Sequence, residues 1–316
     1  MAFKVMGISA GRKNGNSEIL VKEALLACQE LGAEVTFINL HDYNILDCTG
    51  CTHCTQGMFM KGENVGCVLK DKDDKDKLMQ AIFENDAFIF GAPTYDLQVS
   101  ANFTRFAQRS LAYETAFLEK IGAITPKHRV AGLIAAGGST RAWQSMTLET
   151  MQAAMFTCDF NVVDMLLATR VAAMGHVLTR PELIERAHKM GENIMKSLAK
   201  DPADRGWEGD EGYGWCPNCH SNALVLGEKQ WDGIEYNVEC QVCGCGGDLE
   251  KDENGKWKFV IEPKLGFLKD RTTVAGRGLH LDEIGQTEGA FYRNPANRDI
   301  VAEKMPKYRE LKFKGV

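Results

Sequence analysis

The chain has 316 residues, of which 44% are hydrophobic and 25% are charged, and its net charge is −6. This composition is typical of a globular protein of one or two domains, and the acidic balance argues against a broad nucleic-acid surface. The sequence has no apolar run long enough for a membrane helix, and its first residues, MAFKVMGISAG, lack a secretory signal. We therefore predict a cytoplasmic protein without membrane or nucleic-acid partners.

Strand and helix patterns alternate over the first 200 residues. Short apolar segments predict five strands: Phe3–Ser9, Glu34–Leu40, Ala87–Gly91, Val130–Ala136 and Val162–Ala168. Helical patterns follow at about 101–116 and 143–157, and a last helix has a predicted capping box of Thr179 with Glu182. The alternation predicts a doubly wound α/β fold with a parallel sheet, in which ligands bind at the carboxyl ends of the strands.

The composition changes after residue 200. Residues 201–213 are rich in glycine and acidic residues and predict a linker between a first domain, 1–200, and a second, smaller module. Residues 214–262 contain two CxxC pairs and the turn signals Asp232-Gly233 and Asn254-Gly255, which predict that this module is a small β unit. Residues 263–316 form a charged tail with a helical pattern near Leu279 to Gly285, to which the sequence assigns no role.

The loop GISAGRKNGNS, residues 7–17, joins the first predicted strand to the first predicted helix. Backbone N–H groups at a helix N-terminus favour a phosphate, and this loop adds hydroxyl and amide side chains and one arginine. The pattern is neither the dinucleotide fingerprint GxGxxG nor a Walker A loop. On these residues alone, a phosphate site and a polar turn without a ligand are equally open.

Two further loops come after the third and fourth predicted strands. GAPTYD, residues 91–96, contains a proline and a tyrosine, and AAGGST, residues 135–140, contains two adjacent glycines. Glycine lets the backbone approach a flat ligand closely. Each loop alone could be a structural turn, but the three loops at one edge of the sheet suggest a planar ring with a phosphate tail, as in FMN.

These three loops resemble those of the flavodoxin-like NAD(P)H-dependent FMN reductases, and CxxCxxC with a later cysteine and VLKDKDD resembles their iron–sulfur flavoprotein branch. The resemblance implies a five-stranded parallel sheet, non-covalent FMN, and a homodimer or homotetramer with flavin sites near subunit interfaces. It also implies a set of FMN-binding residues. Those for the phosphate are Ser9, Arg12, Asn14, Asn16 and Ser17; those for the ring are Pro93, Thr94, Tyr95, Asp96, Gly137, Gly138 and Ser139.

The C-terminal cysteines have the spacing of a zinc ribbon. Cys216 and Cys219 are separated by twenty residues from Cys240 and Cys243, and a hairpin between the pairs would bring four thiolates to one tetrahedral ion. The module is too short for a large core, so a metal would stabilise its fold. A rubredoxin-like iron site is the main alternative, and Cys245 is interpreted as a spare residue.

The N-terminal cysteines have a different pattern. Cys48, Cys51 and Cys54 are spaced by three residues, and Cys67 comes after twelve more; such a set can hold a [4Fe–4S] cluster. The fourth gap is longer than the family pattern, so the intervening residues are interpreted as an insertion and Met58 to Met60 as a lid on the flavin. An empty, thiol-only or zinc-bearing loop is the alternative.

The sequence supports two functions. In the first, the protein is an enzyme in which NAD(P)H reduces FMN, and electrons then pass to the cluster, a small molecule or a redox protein. We find no conventional catalytic set; the chemistry would occur at FMN, with Tyr95 and Arg109 as candidates for substrate or nicotinamide contact. In the second, it is a non-enzymatic electron carrier or redox-responsive protein that uses the ribbon as a docking surface.

Overall fold

Five parallel strands form the central sheet of the N-terminal part of the chain. The computed structural model describes residues 2–144, 146–229 and 233–313. The strands are β1 (Lys4–Ser9), β2 (Glu34–Asn39), β3 (Ala87–Tyr95), β5 (Arg129–Ala136) and β6 (Phe160–Ala168), in the order β2-β1-β3-β5-β6. A short sixth strand, β4 (Gln98–Val99), pairs antiparallel with the end of β3 and was not predicted. The strand order is that of flavodoxin-like folds, so the predicted fold class is confirmed.

Helices cover both faces of this sheet. Helices α1 (Asn16–Glu30) and α7 (Pro181–Leu198) lie on one face. They contact each other so closely at Gly191 that a side chain there would collide with the Ala24 carbonyl. The opposite face is covered by three helices: α3 (Lys75–Glu84), α4 (Ala101–Gln108) and α6 (Thr147–Met155). Helix α5 (Thr115–Lys120) contributes to a separate apolar cluster with Met58 and Leu281. Strand β5, which lies between β3 and β6, is buried along its whole length, as its continuous apolar sequence predicts.

Several helix boundaries differ from the prediction. The helix expected at 101–116 is interrupted at Arg109, between α4 and a 3₁₀ turn at Ser110–Tyr113, and the helix expected at 143–157 is the shorter α6. The predicted capping box is wrong: Thr179 donates to the His176 carbonyl, and Arg180 is the N-cap residue of α7. Proline disfavours the helical conformation in the residue before it, so Pro181 keeps Arg180 outside the helix and fixes where α7 begins.

The C-terminal cysteines lie in a separate antiparallel sheet. Its strands are β7 (Leu224–Leu226), β8 (Val238–Cys240), β9 (Gly246–Lys251) and β10 (Trp257–Ile261), in the order β10-β9-β8-β7. Gly255 has a φ of +75° in the turn between β9 and β10, as the Asn254-Gly255 signal predicts. Asp232, in the other predicted turn, lies outside the described residues. Phe156, which follows α6, completes the core of this small sheet.

The predicted linker and the tail both pack on the first domain. Trp207 and Tyr213 join the core on one face of the central sheet, and the N–H groups of Glu208 and Gly209 bond to the Val163 carbonyl. The tail contains α8 (Val274–Ile284), α9 (Ala290–Arg293) and α10 (Pro295–Glu310), with a π-helical turn at Gly285–Gly289. In the described part of the chain, no helix combines the length and the hydropathy that a membrane span requires.

Candidate functional site

A cavity of about 240 Å³ lies at the carboxyl edge of the sheet, where the loops after β1, β5 and β6 meet the end of β3, which extends to Tyr95 and so includes residues predicted to form a loop. Eight of the twelve residues predicted to bind FMN line it: Arg12, Asn16, Ser17, Pro93, Thr94, Tyr95, Gly137 and Gly138. Its other lining residues are Gly11, Gly15, Ala136, Val171 and Ala172. The structure therefore brings the three predicted loops together around one space.

Four predicted residues do not line this cavity. The buried Ser9 hydroxyl accepts a hydrogen bond from the Gly11 N–H at 3.3 Å, and so braces the loop from behind. Asn14 and Asp96 are exposed, and their positive φ angles of 56° and 46° are typical of tight turns. Ser139 is exposed, and its carbonyl accepts from Gln144 Nε2 at 2.7 Å. These residues shape the loops around the cavity.

One end of the cavity is built for an anion. Helix α1 begins at Asn16, and the first N–H groups of a helix lack intrahelical acceptors and carry the positive end of its dipole. Ser17 lies in this first turn, is buried, and its hydroxyl has no hydrogen-bond partner within the described ranges. Arg12 is exposed at the rim and donates weakly, at 3.4 Å, to the Ala172 carbonyl. These groups fit a phosphate.

The side chain of Asn16 has a different role from the one predicted. Its Nδ2 donates to the Val171 carbonyl at 2.8 Å and to the Ala173 carbonyl at 2.9 Å, and its Oδ1 accepts from the Val177 N–H at 3.2 Å. Both amide protons and the amide oxygen are thus engaged within the protein. Asn16 therefore ties the loop after β6 to the loop after β1, and offers a ligand its backbone N–H alone.

Asn39, the last residue of β2, braces the same loop from below. Its Nδ2 donates to the Gly11 carbonyl at 3.0 Å and to Glu18 Oε2 at 2.7 Å, while Lys22 binds Glu18 Oε1 at 2.6 Å. Burial opposes the ionisation of Glu18, but these two hydrogen bonds lower the pKa of its carboxyl below the ordinary value. The ionised Glu18 side chain is thus bound by Asn39 and Lys22 and does not line the cavity.

The other end of the cavity has flat walls and little side-chain bulk. A Cβ added to Gly137 would lie 2.4 Å from Gln144 Oε1, and one added to Gly138 would lie 3.0 Å from Ala172 Cβ, so a side chain at either position would displace its neighbour. Thr94 Oγ1 lies 2.8 Å from Thr147 Oγ1, which fixes the end of β3 to α6. This end accommodates a planar ring between two stretches of backbone.

The four N-terminal cysteines line a second cavity, of about 250 Å³. Cys48 and Cys51 are exposed, and Cys54 and Cys67 are half-buried. The chain between Cys54 and Cys67 forms a helical turn, α2 (His53–Gln56), and a π-helical turn at Gly57–Lys61, and then reverses. This reversal returns Cys67 to the other three cysteines, so the long fourth gap does not separate it from them.

The insertion packs against the C-terminal tail and does not cover the flavin-type cavity, so the lid interpretation is wrong. Met58 is buried in a cluster with Phe117 and Leu281, Phe59 packs beside Gly285, and Met60 is 44% exposed.

Polar contacts add to this packing between the cysteine loop and the tail. Thr52 Oγ1 lies 2.9 Å from Tyr292 Oη, and Thr55 Oγ1 donates to Glu288 Oε1 at 2.8 Å. Glu288 also lines the cysteine cavity. The tail therefore forms part of the wall of this cavity, a role that the sequence did not assign to it.

Arg109 belongs to the cysteine cavity and not to the flavin-type cavity, where it was predicted. It is buried, and its Nη2 donates to Cys67 Sγ at 3.4 Å. Its Nη1 donates to the carboxylate of Asp73. Burial opposes the ionisation of Asp73, but the hydrogen bond from Arg109 and two from backbone N–H groups lower its pKa. The two residues therefore form a buried ion pair beside the cysteines.

The ribbon cysteines have the geometry of a single-ion site. Cys216 and Cys243 sulfurs are 3.6 Å apart, as are those of Cys219 and Cys240, and all four are buried within 4.8 Å of one another. A tetrahedron with metal–sulfur bonds of about 2.3 Å has edges of about 3.8 Å. The four thiols therefore fit one ion, in agreement with the predicted ribbon.

Two neighbouring residues are outside this tetrahedron. Cys245 forms a second close group with Cys243 and Asp270, and its sulfur accepts from Asn218 Nδ2 at 3.3 Å. His220 stacks on Trp207 with a ring separation of 4.2 Å, and its Nδ1 lies 3.1 Å from the Tyr213 carbonyl. His220 therefore helps to attach the ribbon to the first domain.

Comparison with known proteins agrees with this site. The sequence profile of the NADPH-dependent FMN reductase family matches residues 3–172, more than half of the chain. The chain belongs to this family. A flavone synthase of Aspergillus candidus is 24% identical to it in an alignment of 310 residues that covers 91% of this chain and 91% of that protein. The iron–sulfur flavoprotein MJ1083 of Methanocaldococcus jannaschii is 33% identical over 148 residues, covering 46% of this chain and 68% of that protein.

A solved structure extends the likeness to the whole chain. A flavone reductase superposes with a TM-score of 0.73 at 24% identity, covering 99% of both chains. This shows that the ribbon and the tail belong to one shared architecture with the flavodoxin-like domain. As an NADPH-dependent FMN reductase family member, the protein is a flavin-dependent oxidoreductase, and its family supports FMN as the cofactor.

Sequence reasoning missed several residues of this FMN reductase. Val171 and Ala172 come soon after the fifth parallel strand and line the cavity, so the rule that located the other three loops could have found them. Asn39 ends the second strand at the same edge, and its position was likewise a signal. Nothing in the sequence pointed to Gln144 or Glu288, whose roles depend on their contacts with loop residues.

Proposed function

We propose that this protein uses NAD(P)H and FMN to transfer a hydride between the flavin and a flat, conjugated small molecule of the flavone type. The observation that carries this proposal is the single cavity at the carboxyl edge of the sheet, with an anion-binding end at α1 and a flat end between two loops. FMN, when bound, supplies reversible two-electron hydride transfer at its N5 atom. The protein supplies binding, orientation and the shape of the substrate space.

Each end of the cavity has a distinct task. The N–H groups of the first turn of α1 and the Ser17 hydroxyl would hold the phosphate, with Arg12 adding charge at the rim. Gly137 and Gly138 allow the backbone to lie against the ring, and Pro93 forms part of the facing end of β3.

The loops around the cavity are held in place before any ligand binds. The hydrogen bonds of Asn16 and Asn39 keep the loops after β1 and β6 at a fixed distance from each other and from β2. Preorganised loops reduce the ordering cost of binding. We therefore expect these two amides to contribute to FMN affinity without touching the cofactor through their side chains.

Two exposed aromatic side chains support a flat substrate. Tyr95 lines the cavity and is 52% exposed, and Trp143, on the loop that carries Gly137, is 58% exposed. Large aromatic residues left in solvent beside a cofactor cavity can stack on a conjugated ring system. The relatives that match the whole chain are named flavone synthase and flavone reductase, which supports a conjugated carbonyl compound as substrate.

We propose further that the loop cysteines hold a [4Fe–4S] cluster. Four cysteines around one cavity of about 250 Å³ fit it, and so does Arg109 Nε, which is buried there without an acceptor in the ranges described. Such a cluster supplies one-electron transfer. The likeness to iron–sulfur flavoproteins over the N-terminal half supports this assignment. For the ribbon we propose zinc with a structural role, because its ligands are buried and lie against Phe156 of the first domain.

The enzyme and the electron-carrier hypotheses separate in one experiment. The flavin-loaded protein is mixed anaerobically with NADPH, and separately with NADH, in a stopped-flow spectrophotometer, and a flavone is then added. We expect rapid loss of flavin absorbance with one of the nucleotides and its return when the flavone is added. Bleaching slower than minutes with both nucleotides would overturn the reductase, and a fast bleach without reoxidation by flavones would overturn the proposed substrate class.

A further inference from the structure

Arg109 lies at the break between two helices, beneath the cysteine loop. Helix α4 ends at Gln108, and the 3₁₀ turn after it begins at Ser110, so Arg109 leaves the helical path and points its side chain inward. The residue is 3% exposed. A fully buried arginine needs a partner for its charge and acceptors for its five N–H groups.

The terminal nitrogens of Arg109 have such partners. Nη1 donates to the Leu46 carbonyl at 3.3 Å and to Asp73, and Nη2 donates to Cys67 Sγ at 3.4 Å. Asp73 itself is fixed by the Leu46 N–H at 2.7 Å and the Lys75 N–H at 3.2 Å. The guanidinium is therefore locked in one orientation, with one edge on a carboxylate and the other on a cysteine sulfur.

The Nε–H group of Arg109 lacks an acceptor among the described residues. This Nε is buried, and the residue lines the cavity shared by the four cysteines. Buried donors in native proteins are almost always paired, so an orphan beside a cavity indicates an acceptor that the cavity is meant to hold. The acceptor at this position must be small and rich in electron density.

We propose that Arg109 donates hydrogen bonds to the sulfur atoms of a cluster held by the cysteine loop, from Nη2 to the Cys67 thiolate and from Nε to an inorganic sulfide, and that Asp73 limits the positive charge that the cluster experiences. This rests on the proposed function in one respect, that the loop holds an iron–sulfur cluster. Hydrogen bonds and positive charge stabilise the reduced, more negative state, so Arg109 raises the one-electron reduction potential and Asp73 lowers it.

The proposal predicts shifts of opposite sign in two variants. In Arg109→Gln, the hydrogen bonds and the charge are lost, so at a fixed applied potential the ratio of reduced to oxidised cluster falls about tenfold, which is about 59 mV for one electron. In Asp73→Asn, the charge of Arg109 is no longer compensated, so the same ratio rises. The measurement is a mediated redox titration of the intact FMN-loaded protein, followed by EPR of the reduced cluster.

Two further variants complete the test: one retains the positive charge, and the other is a control. Arg109→Lys keeps the positive charge beside Asp73 but cannot reach both sulfurs, so we expect a fall smaller than that of Arg109→Gln, and it is the readout if Arg109→Gln loses its iron. Arg105→Gln removes an exposed arginine of the same helix, which pairs with Asp47 at 2.9 Å, and controls for long-range charge. Because water and salt screen this exposed pair, we expect a fall much smaller than that of Arg109→Gln.

The failures of this proposal and of the proposed function are distinguishable. Wild-type protein that binds FMN but takes up no iron on anaerobic reconstitution overturns the cluster itself, and with it this role for Arg109. A cluster that forms in every variant with an unchanged potential overturns only the role of Arg109. Shifts of the same sign in Arg109→Lys and Asp73→Asn would also overturn it, because they would reflect a general disturbance of the loop.

Discussion

The protein contains two groups of four cysteines that differ in nearly every physical respect. In the ribbon, the sulfurs are buried and within 4.8 Å of one another, and they form the centre of a small core. In the loop, the cysteines are exposed or half-buried around a cavity of about 250 Å³, and within the part of the chain that the structure describes they form no single-ion grouping. The ribbon thiols fit one ion, and the loop cysteines surround a larger space.

The difference extends to how each site is held in place. The ribbon sulfurs come from two knuckles joined by strands, so binding and folding are one process. The loop is held from outside, by the tail at Glu288 and Tyr292 and by the buried pair of Arg109 and Asp73. These contacts do not depend on a bound group, so we expect the loop to keep its shape without one.

The largest effect is expected at the ribbon. Cys240→Ser removes one ligand from the tetrahedron, so the metal is lost and residues 214–262 unfold, because the ligands are the centre of their core. Metal analysis should then show the loss of one ion per chain, and limited proteolysis should cut within the ribbon. Cys245→Ser is the matched control and should keep the ion. Full retention of the metal in Cys240→Ser would contradict the role of Cys240 as a ligand, and with it the contrast between the two groups of cysteines.

The loop should respond differently to the corresponding change. Cys67→Ser is expected to abolish iron binding while the content of FMN and ribbon metal stays at the wild-type level, because the loop is supported by contacts that do not involve this sulfur. His53→Ala, an exposed neighbour, is the control and should retain iron. Loss of the ribbon metal or of flavin in Cys67→Ser would contradict the independence of the two sites.

A third change should leave both cysteine groups intact. Ser17→Ala removes the buried hydroxyl from the anion-binding end of the flavin cavity, and a hydrogen bond to a charged group contributes about 1.5–3 kcal/mol. We expect the dissociation constant for FMN to rise about tenfold or more in a fluorescence titration. Ser139→Ala, whose exposed side chain does not line the cavity, should bind FMN like the wild type.

Lys75, the first residue of α3, is buried, and its contribution to the free energy of unfolding depends on pH. Burial lowers the pKa of Lys75 to about 7, while its ammonium binds the Phe106 carbonyl at 2.7 Å and Ser110 Oγ at 3.2 Å. Unfolding restores the ordinary pKa of 10.5, so between pH 7 and 10.5 the unfolded chain binds one more proton than the folded protein. Stability should therefore rise with pH in this window, by up to about 1.4 kcal/mol per pH unit.

Lys75→Met tests that dependence. Urea unfolding at several pH values between 7 and 10 should give a wild-type curve that rises relative to the variant, since the penalty of burying the ammonium is largest below pH 7 and is lost above 10.5. Lys77→Met, at an exposed position of the same helix, should follow the wild type. Parallel curves for wild type and Lys75→Met would contradict the lowered pKa.

The smallest effect is expected at the tail. Tyr292→Phe removes the hydrogen bond to Thr52 and leaves the packing of the ring, so the support of the loop weakens by about 1 kcal/mol. Iron should be released in air about fivefold faster, measured with a chelator, while the ribbon metal is unaffected. Tyr308→Phe, an exposed residue of α10, is the control. Equal release rates would mean that the tail does not stabilise the loop.

The parts of the molecule that sequence reasoning found are those fixed by local patterns. The five strands follow from apolar runs, the ribbon from paired CxxC spacing, and most of the flavin cavity from the rule that ligands bind at carboxyl ends of parallel strands. The parts it missed depend on long-range contacts. The helix break at Arg109 and the contact of Thr55 with Glu288, 233 residues away, leave no local pattern.

The contrast between the two cysteine groups is tested most directly by the flavin and metal content of protein purified without air. We predict about one FMN, about four irons and about one zinc per chain, with an EPR signal of a reduced [4Fe–4S] cluster that is absent in Cys67→Ser and present in Cys245→Ser. Protein that carries FMN and a single metal ion, with no iron at the loop after anaerobic reconstitution, would contradict this contrast.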